Sequence, residues 1–198
     1  MIIERWWPTP IYYSFLEQPV LDQVQADFER VYRHYRDNNL FKQKPGWNPS
    51  SVALSDTTFL TSLIDQFELE TFKIELLDHV QKFIQQYNIH TTDIKIKQSW
   101  MTLTSQGQSN HTHSHGPADI SGVYYFQTNG QDGSIYFESN NKLLSASALF
   151  NSGSHPIVYK PEVGKLILFP GFVEHGVYEN TTDNDRVSVS FNIFVNRF

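Results

Sequence analysis

The spacing of apolar residues changes near the middle of this chain. From Val20 to Tyr35, Leu21, Val24, Phe28, Val31 and Tyr35 recur every three or four positions, the period of an amphipathic helix. Asp56-Thr57 reads as the cap of a short second helix through Phe67, with Phe59, Leu60, Leu63 and Ile64 turned to a core. Phe72, Leu76, Val80, Phe83 and Tyr87 mark a third helix that should stop near Asn88. Ahead of these, Pro10 to Phe15 reads as a short edge strand. Asn38 to Ser55, with Pro45-Gly46 and Asn48-Pro49, reads as a loop.

Beyond residue 93 the period falls to two. Ile94–Leu103, Gly122–Phe126, Ser134–Phe137, Leu166–Phe169 and Arg186–Phe194 alternate, and Gly, Asn, Asp and Ser turn signals separate them. Helices followed by many short strands predict a mainly β fold, a jelly roll or sandwich with about three helices buttressing one sheet. We expect one domain over 1–198, with 1–92 supplying a strand and helical support and 93–198 the β core.

Composition narrows the function. Aromatic residues make up 15% of the chain, which suits strands and thick cores. There is no cysteine, so disulfides and thiolate metal sites are excluded. A net charge of -6 disfavours long-range attraction to nucleic acid. No apolar run approaches the ~20 residues of a membrane span. Met1-Ile-Ile-Glu-Arg breaks its apolar start with charge too early for a secretory signal, so a soluble, cytoplasmic protein is expected.

His111, His113 and His115 occupy every second position just before Ser121-Gly-Val-Tyr-Tyr-Phe126. Alternate residues of an extended segment share a face, so two of these rings can turn toward one metal ion. A further ligand is available in His175, which follows the apolar strand Leu166–Phe169 and a Pro170-Gly171 turn. It should start the next strand, across a sandwich from the histidine pair. Arg186, Ser188, Ser190 and Asn192 fall on one face of the last strand and Val187, Val189, Phe191 and Ile193 on the other. A guanidinium among hydroxyls suits a carboxylate held by two hydrogen bonds.

These stretches resemble the iron(II)- and 2-oxoglutarate-dependent oxygenases. More narrowly, they are similar to a small group from phages and marine bacteria. The group carries a His-x-His stretch, Ser-Gly-Val-Tyr-Tyr, Gly-x-Leu-x-x-Phe-Pro, a histidine and Arg-x-Ser-x-Ser-x-Asn. Here these read His113-Ser-His115, Ser121–Tyr125, Gly164–Pro170, His175 and Arg186–Asn192. The opening Trp7-Pro-Thr-Pro-Ile-Tyr12 also resembles the group's start.

The resemblance implies a double-stranded β-helix, cupin-like in shape. It implies iron(II) on His113, His115 and His175, with 2-oxoglutarate as cosubstrate and ascorbate for maintenance. Arg186 and Ser188 would hold the distal carboxylate, Tyr124 or Tyr125 would line the pocket, and Asn192 belongs to the same polar face. The implied reaction couples decarboxylation of 2-oxoglutarate to succinate with hydroxylation of a C–H bond. The wider superfamily has a carboxylate where His115 stands, and two other ligand choices remain: His111 with His113, or an intruding Asp119. Two rival functions are a non-catalytic binding module on the same fold and a three-histidine metalloenzyme that does not use 2-oxoglutarate.

Other features carry plainer readings. The histidine run read alone is a polar strand end, and the polar face of the last strand is the wet side of a sheet. His34, His79, His90 and His155 read as surface or hydrogen-bonded residues, Trp6-Trp7 and Tyr12-Tyr13 as core, and Lys95 and Lys97 as an exposed strand face. The pocket rim should come from 38–55, 116–120 and 142–156. A protein side chain, a peptide or a metabolite all fit as substrate, and the aromatic N-terminal segment suits a homodimer.

Overall fold

The computed structural model describes residues 9–89, 91, 93–141, 146, 148 and 155–196. The elements in chain order are β1 (Tyr12–Phe15), α1 (Val20–Asp37), β2 (Ala53–Leu54), α2 (Leu63–Gln66), α3 (Glu70–Gln85), β3 (Ile94–Thr104), β4 (Asn110–His113), β5 (Ile120–Gln127), β6 (Ile135–Phe137), β7 (Ile157–Tyr159), β8 (Lys165–Pro170), β9 (His175–Val177) and β10 (Arg186–Val195). They form a six-stranded sheet of order β1-β8-β5-β10-β3-β2 and a four-stranded sheet of order β4-β9-β6-β7. All strand pairings between them are antiparallel. This is the two-sheet jelly roll that the alternation predicts.

The large sheet has two differently employed faces. Met101, Tyr124, Phe126, Leu166, Leu168, Val187, Val189 and Phe191 pack against Val24, Phe28 and Val31 of α1 and Phe72, Leu76 and Val80 of α3. Val123, Tyr125, Ile167 and Phe169 point the other way and meet Ile135, Phe137 and Val173 between the sheets. The period-two pattern thus serves a helical layer on one side and an enclosed barrel interior on the other.

Several boundaries differ from expectation. The second helix is one turn long, because Asp56 does not cap it. Its carboxylate instead accepts from the Thr58 and Thr61 backbone N–H and hydroxyl groups and the Leu60 N–H, closing a non-helical turn. Ser62 caps α2, Leu60 is 80% exposed and Phe59 takes a positive φ of 56° toward Trp100. The third helix ends at Gln85, leaving Tyr87 exposed. Strands β4, β7 and β9 are three or four residues long and carry no apolar–polar alternation, so the pattern does not announce them. Trp6-Trp7, His90 and most of the 142–156 rim lie outside the described residues.

The glycine of Ser121-Gly-Val-Tyr-Tyr has a packing reason. A Cβ at Gly122 would meet Phe191 Cε2 at 2.5 Å and the Ile167 carbonyl oxygen at 2.6 Å. Both contacts lie at the centre of the large sheet, where the backbone cannot withdraw. We expect Gly122→Ala to lower unfolding stability by about 1–3 kcal/mol, read by chemical denaturation. An unchanged midpoint would show that this strand pair is looser than its packing implies.

Candidate metal centre

Strand β4 delivers His113 and β9 delivers His175, and the two are direct register partners in the small sheet. They are therefore neighbours in one sheet and do not face each other across the sandwich, because β4 and β9 pair edge to edge. His115 follows β4 in a turn, tied by its N–H to the Gly171 carbonyl at 2.8 Å. One ligand atom from each of His113, His115 and His175 lies within 4.8 Å of the others, a spacing that one metal ion can bridge.

The rings are oriented for this. His113 Nδ1 lies 2.8 Å from the His111 carbonyl and His175 Nδ1 lies 2.9 Å from the Val173 carbonyl. A carbonyl only accepts, so each Nδ1 carries the proton and each Nε2 keeps its lone pair for a metal. His115 stacks on His175 at a 20° ring angle. Burial pushes the pKa of His115 down to about 3, with the charge of His113 adding to the effect. Burial, then His113 and His115, bring His175 to about 3 against the opposing bond to Val173. Burial also lowers His113. All three imidazoles are neutral at pH 7, the state that binds metal.

The alternative ligands are placed elsewhere. His111 packs edge-on against Trp47 at 5.4 Å between ring centroids and gives its carbonyl to His113. Asp119 accepts the Val195 N–H at 2.8 Å, well engaged outside the cluster.

A cavity of about 520 Å³ opens beside the histidines and runs along the inner face of β10. Registers of β3, β10 and β5 set its floor in rows: Thr102, Ser188 and Tyr125; then Trp100, Ser190 and Val123; then Gln98, Asn192 and Ser121. Arg186 closes one end beside Thr104 and is 2% exposed. Its Nη1 donates to the Asp132 carbonyl at 3.0 Å and to the Gly133 carbonyl, and its Nη2 to Thr104 Oγ1 at 2.9 Å. Among the described residues its Nε has no partner, and neither does the Oδ1 of Asn110, which also lines the cavity. An unpartnered buried donor on a cation costs about 1–3 kcal/mol or more, so a ligand is the natural partner. Burial lowers the pKa of Arg186 while Tyr125 and Asp132 raise it; burial pushes Tyr125 up to about 12.

Residues 98–192 match the family described as "Putative 2OG-Fe(II) oxygenase". Over that stretch, just under half of its length, the chain is similar to this family. No curated protein sequence matches it. Among solved structures, a Pseudomonas putida prolyl-4-hydroxylase is 14% identical at a TM-score of 0.59, over 93% of this chain and 92% of that one. A Trichoplax adhaerens prolyl hydroxylase, in complex with a peptide fragment of the hypoxia inducible factor oxygen degradation domain, gives 15% and 0.61 over 93% and 82%. HygX from Streptomyces hygroscopicus, with nickel, 2-oxoglutarate and hygromycin B bound, gives 12% and 0.60 over 96% and 84%. At these identities the likeness is one of fold.

Two residues expected at the site lie away from the Arg186 end of the cavity. Tyr124 faces the helices, stacked on Phe28 at 5.4 Å and bonded to Gln25 at 3.2 Å; only Tyr125 reaches the cavity. Asn192 accepts from Ser121 Oγ at 2.8 Å and donates to Gln98 Oε1 at 2.7 Å. Six residues of strand, roughly 20 Å, separate its backbone position from that of Arg186. Sequence reading missed Asp132, which is fully buried. It accepts from Thr128 Oγ1 at 2.5 Å, from the Asn129 N–H at 2.8 Å and from Asn184 Nδ2 at 3.1 Å, and so shapes the turn whose carbonyls hold Arg186. Its only signal was the Asp132-Gly133 turn pair.

The depressed imidazoles set a pH dependence. Between about pH 6.5 and 3 the unfolded chain takes up protons at His115 and His175 that the folded chain refuses. Stability from these groups is complete above the unfolded pKa and declines as pH falls. The melting temperature of metal-free protein should fall across this window, less steeply in a His115→Gln, His175→Gln double variant. Equal slopes in the two proteins would contradict the burial assigned to these rings.

Proposed function

We propose that this protein is an iron(II)- and 2-oxoglutarate-dependent dioxygenase that hydroxylates a C–H bond. In this reading His113, His115 and His175 hold the iron, and Arg186, Ser188 and Tyr125 receive 2-oxoglutarate. The observation that carries it is the unpartnered Nε of a buried guanidinium in the same cavity as three neutral, converging imidazoles. The donor set fits the group: imidazole nitrogens suit iron(II), and a guanidinium beside a hydroxyl suits a distal carboxylate.

The floor explains how such a cosubstrate would be oriented. Arg186 and Ser188 sit at one end, and His115 lies over the Trp100–Ser190–Val123 row, 5.9 Å from the Trp100 ring. Four residues of β10 separate the guanidinium's strand position from that row, roughly 13 Å. A five-carbon diacid fits between, its distal carboxylate on Arg186 and its keto-acid end at the histidines. Iron(II), when bound, supplies activation of dioxygen and the oxidative decarboxylation of 2-oxoglutarate to succinate and carbon dioxide. The chain's own part is to fix both reactants, keep the imidazoles unprotonated and exclude bulk water with Ile135, Phe169 and Val177. The Thr104 hydroxyl and the Asp132 and Gly133 carbonyls hold the guanidinium plane still before the diacid arrives.

Arg186 weighs against a three-histidine enzyme without 2-oxoglutarate, since such a site has no use for a buried cation at that distance. A non-catalytic module would likewise have no reason to keep three metal-competent imidazoles desolvated.

The test is succinate formed from 2-oxoglutarate under air with iron(II), together with direct titration of nickel(II) and of 2-oxoglutarate. We expect succinate that depends on iron and dioxygen. His113→Ala should lose metal affinity by at least about tenfold. Arg186→Lys should weaken 2-oxoglutarate at least about tenfold while leaving nickel affinity in place. No succinate, together with no saturable binding of 2-oxoglutarate, would sink the proposal.

A further inference from the structure

The half of the cavity beyond the histidines is also built. Lys44-Pro45-Gly46-Trp47 is a tight turn, closed by the Trp47 N–H on the Lys44 carbonyl at 3.1 Å, with Gly46 at φ 82° as a type II turn demands. Such a turn brings the side chains of its first and last residues to one side. The Lys44 ammonium lies 5.4 Å from the Trp47 ring centroid and 4.5 Å from that of Phe59. Phe59 stands edge-on to Trp100 at 4.8 Å, and Trp100 lies 5.9 Å from His115. An aromatic wall therefore runs from the turn to the metal centre.

This wall is held by the rest of the fold. The turn's loop is tied down by Lys42–Leu54 backbone bonds of 2.9 and 2.7 Å and by the Ser109 N–H on the Ser50 carbonyl at 2.9 Å. Gln98 Nε2 donates to the Phe59 carbonyl at 2.6 Å while its oxygen accepts from Asn192, so the amide row of the floor fixes Phe59. Lys44 itself has only the two rings as partners: among the described residues its ammonium makes no hydrogen bond and no ion pair.

The charge balance is one-sided. Although the chain carries a net charge of -6, no aspartate or glutamate is among the described residues lining the cavity, while Lys44, Arg186 and the three-histidine centre all do. A divalent metal on neutral imidazoles and Arg186 together carry three positive charges against the two negative charges of a dianionic cosubstrate, so nothing is left over to neutralise Lys44. We propose that the Lys44–Trp47–Phe59–Trp100 end of the cavity is the substrate subsite, and that it takes a small organic acid with an aryl or alkyl skeleton. The anionic group pairs with Lys44, and the carbon skeleton lies along the aromatic wall with a C–H bond presented to the metal centre. The inference rests on the dioxygenase reading above. It gives the amides of Gln98 and Asn192 a structural duty and leaves recognition to the cation and the rings.

The test uses protein loaded with nickel(II) and saturating 2-oxoglutarate, so that Arg186 is already engaged and an added acid cannot report on it. Matched pairs (phenylacetate with phenylacetamide, indole-3-acetate with indole-3-acetamide, hexanoate with hexanamide) are compared by ligand-observed NMR and by tryptophan fluorescence. We expect acids to bind about tenfold more tightly than their amides. Lys44→Gln should abolish the preference, Lys44→Arg should retain it, and Lys44→Glu should reverse it. Because Lys44 is a half-exposed loop residue and not a metal ligand, all three variants should still fold and bind nickel and 2-oxoglutarate, and saturation by both is checked for each variant before an acid is added. Equal binding of acids and amides, no binding by any pair, or a preference that survives Lys44→Gln overturns the inference with the dioxygenase reading intact. If nickel and 2-oxoglutarate themselves fail to bind, that reading falls and the subsite falls with it.

Discussion

The alternation of β10 is the constraint on which the molecule depends. Val187, Val189, Phe191 and Ile193 are fully buried against the helical layer, while Arg186, Ser188, Ser190 and Asn192 face the cavity. A slip of one residue would drive a guanidinium into the helices and empty the polar floor into hydrocarbon. The strand is paired on both sides, by β3 and β5, and a bulge on each side adjusts the register near its two ends. Gly122 permits the close approach of Phe191 that this register needs. The floor's polar rows and the helical core are thus two consequences of one pairing.

The metal centre is joined to that floor from the other sheet. Short strands β4 and β9 bring His113 and His175 side by side, and backbone carbonyls two residues before each ring fix its protonated nitrogen. Tying a side chain to the backbone two residues before it makes the tautomer a local property, independent of distant groups. Desolvation keeps the rings neutral, and the absence of a carboxylate among the three leaves a bound divalent ion with its full charge inside the pocket. The cavity answers that charge with no acidic side chain of its own among the described residues. Its electrostatics are therefore completed by small anions, one at each end in the reading offered above.

Hydrogen bonding divides the polar residues of the cavity into those already committed and those left open. Asn192, Gln98 and Ser121 satisfy one another, and Asp132 spends its carboxylate on the hairpin that holds Arg186. Among the described residues, Arg186 Nε has no hydrogen-bond partner and Lys44 Nζ, at the opposite end of the cavity, has only aromatic rings beside it. What the fold leaves unpaired is a more direct guide to its ligands than what lines the walls.

Much of this was legible in the residues. Periodicity located α1, α3, the longer strands β3, β5, β8 and β10 and the short β6, because each buries one continuous stripe or face and must repeat at its own period. The His-x-His spacing, His175 and the polar face of Arg186–Asn192 were visible for the same reason. Alternation did not mark β4, β7 and β9, whose few residues carry no alternating apolar face of the kind that Ile135 and Phe137 give the equally short β6. Nor could it find Asp56's turn, where side-chain hydrogen bonds displaced a helix. Which tyrosine of the pair enters the cavity, that Asn192 is occupied, and that Asp132 shapes the guanidinium's seat depend on registers between strands far apart in sequence. The residues by themselves determined which face of each strand is polar; only the tertiary pairing decided which polar groups meet partners and which are left for a ligand, since hydrogen bonds between strands are made across space and not along the chain.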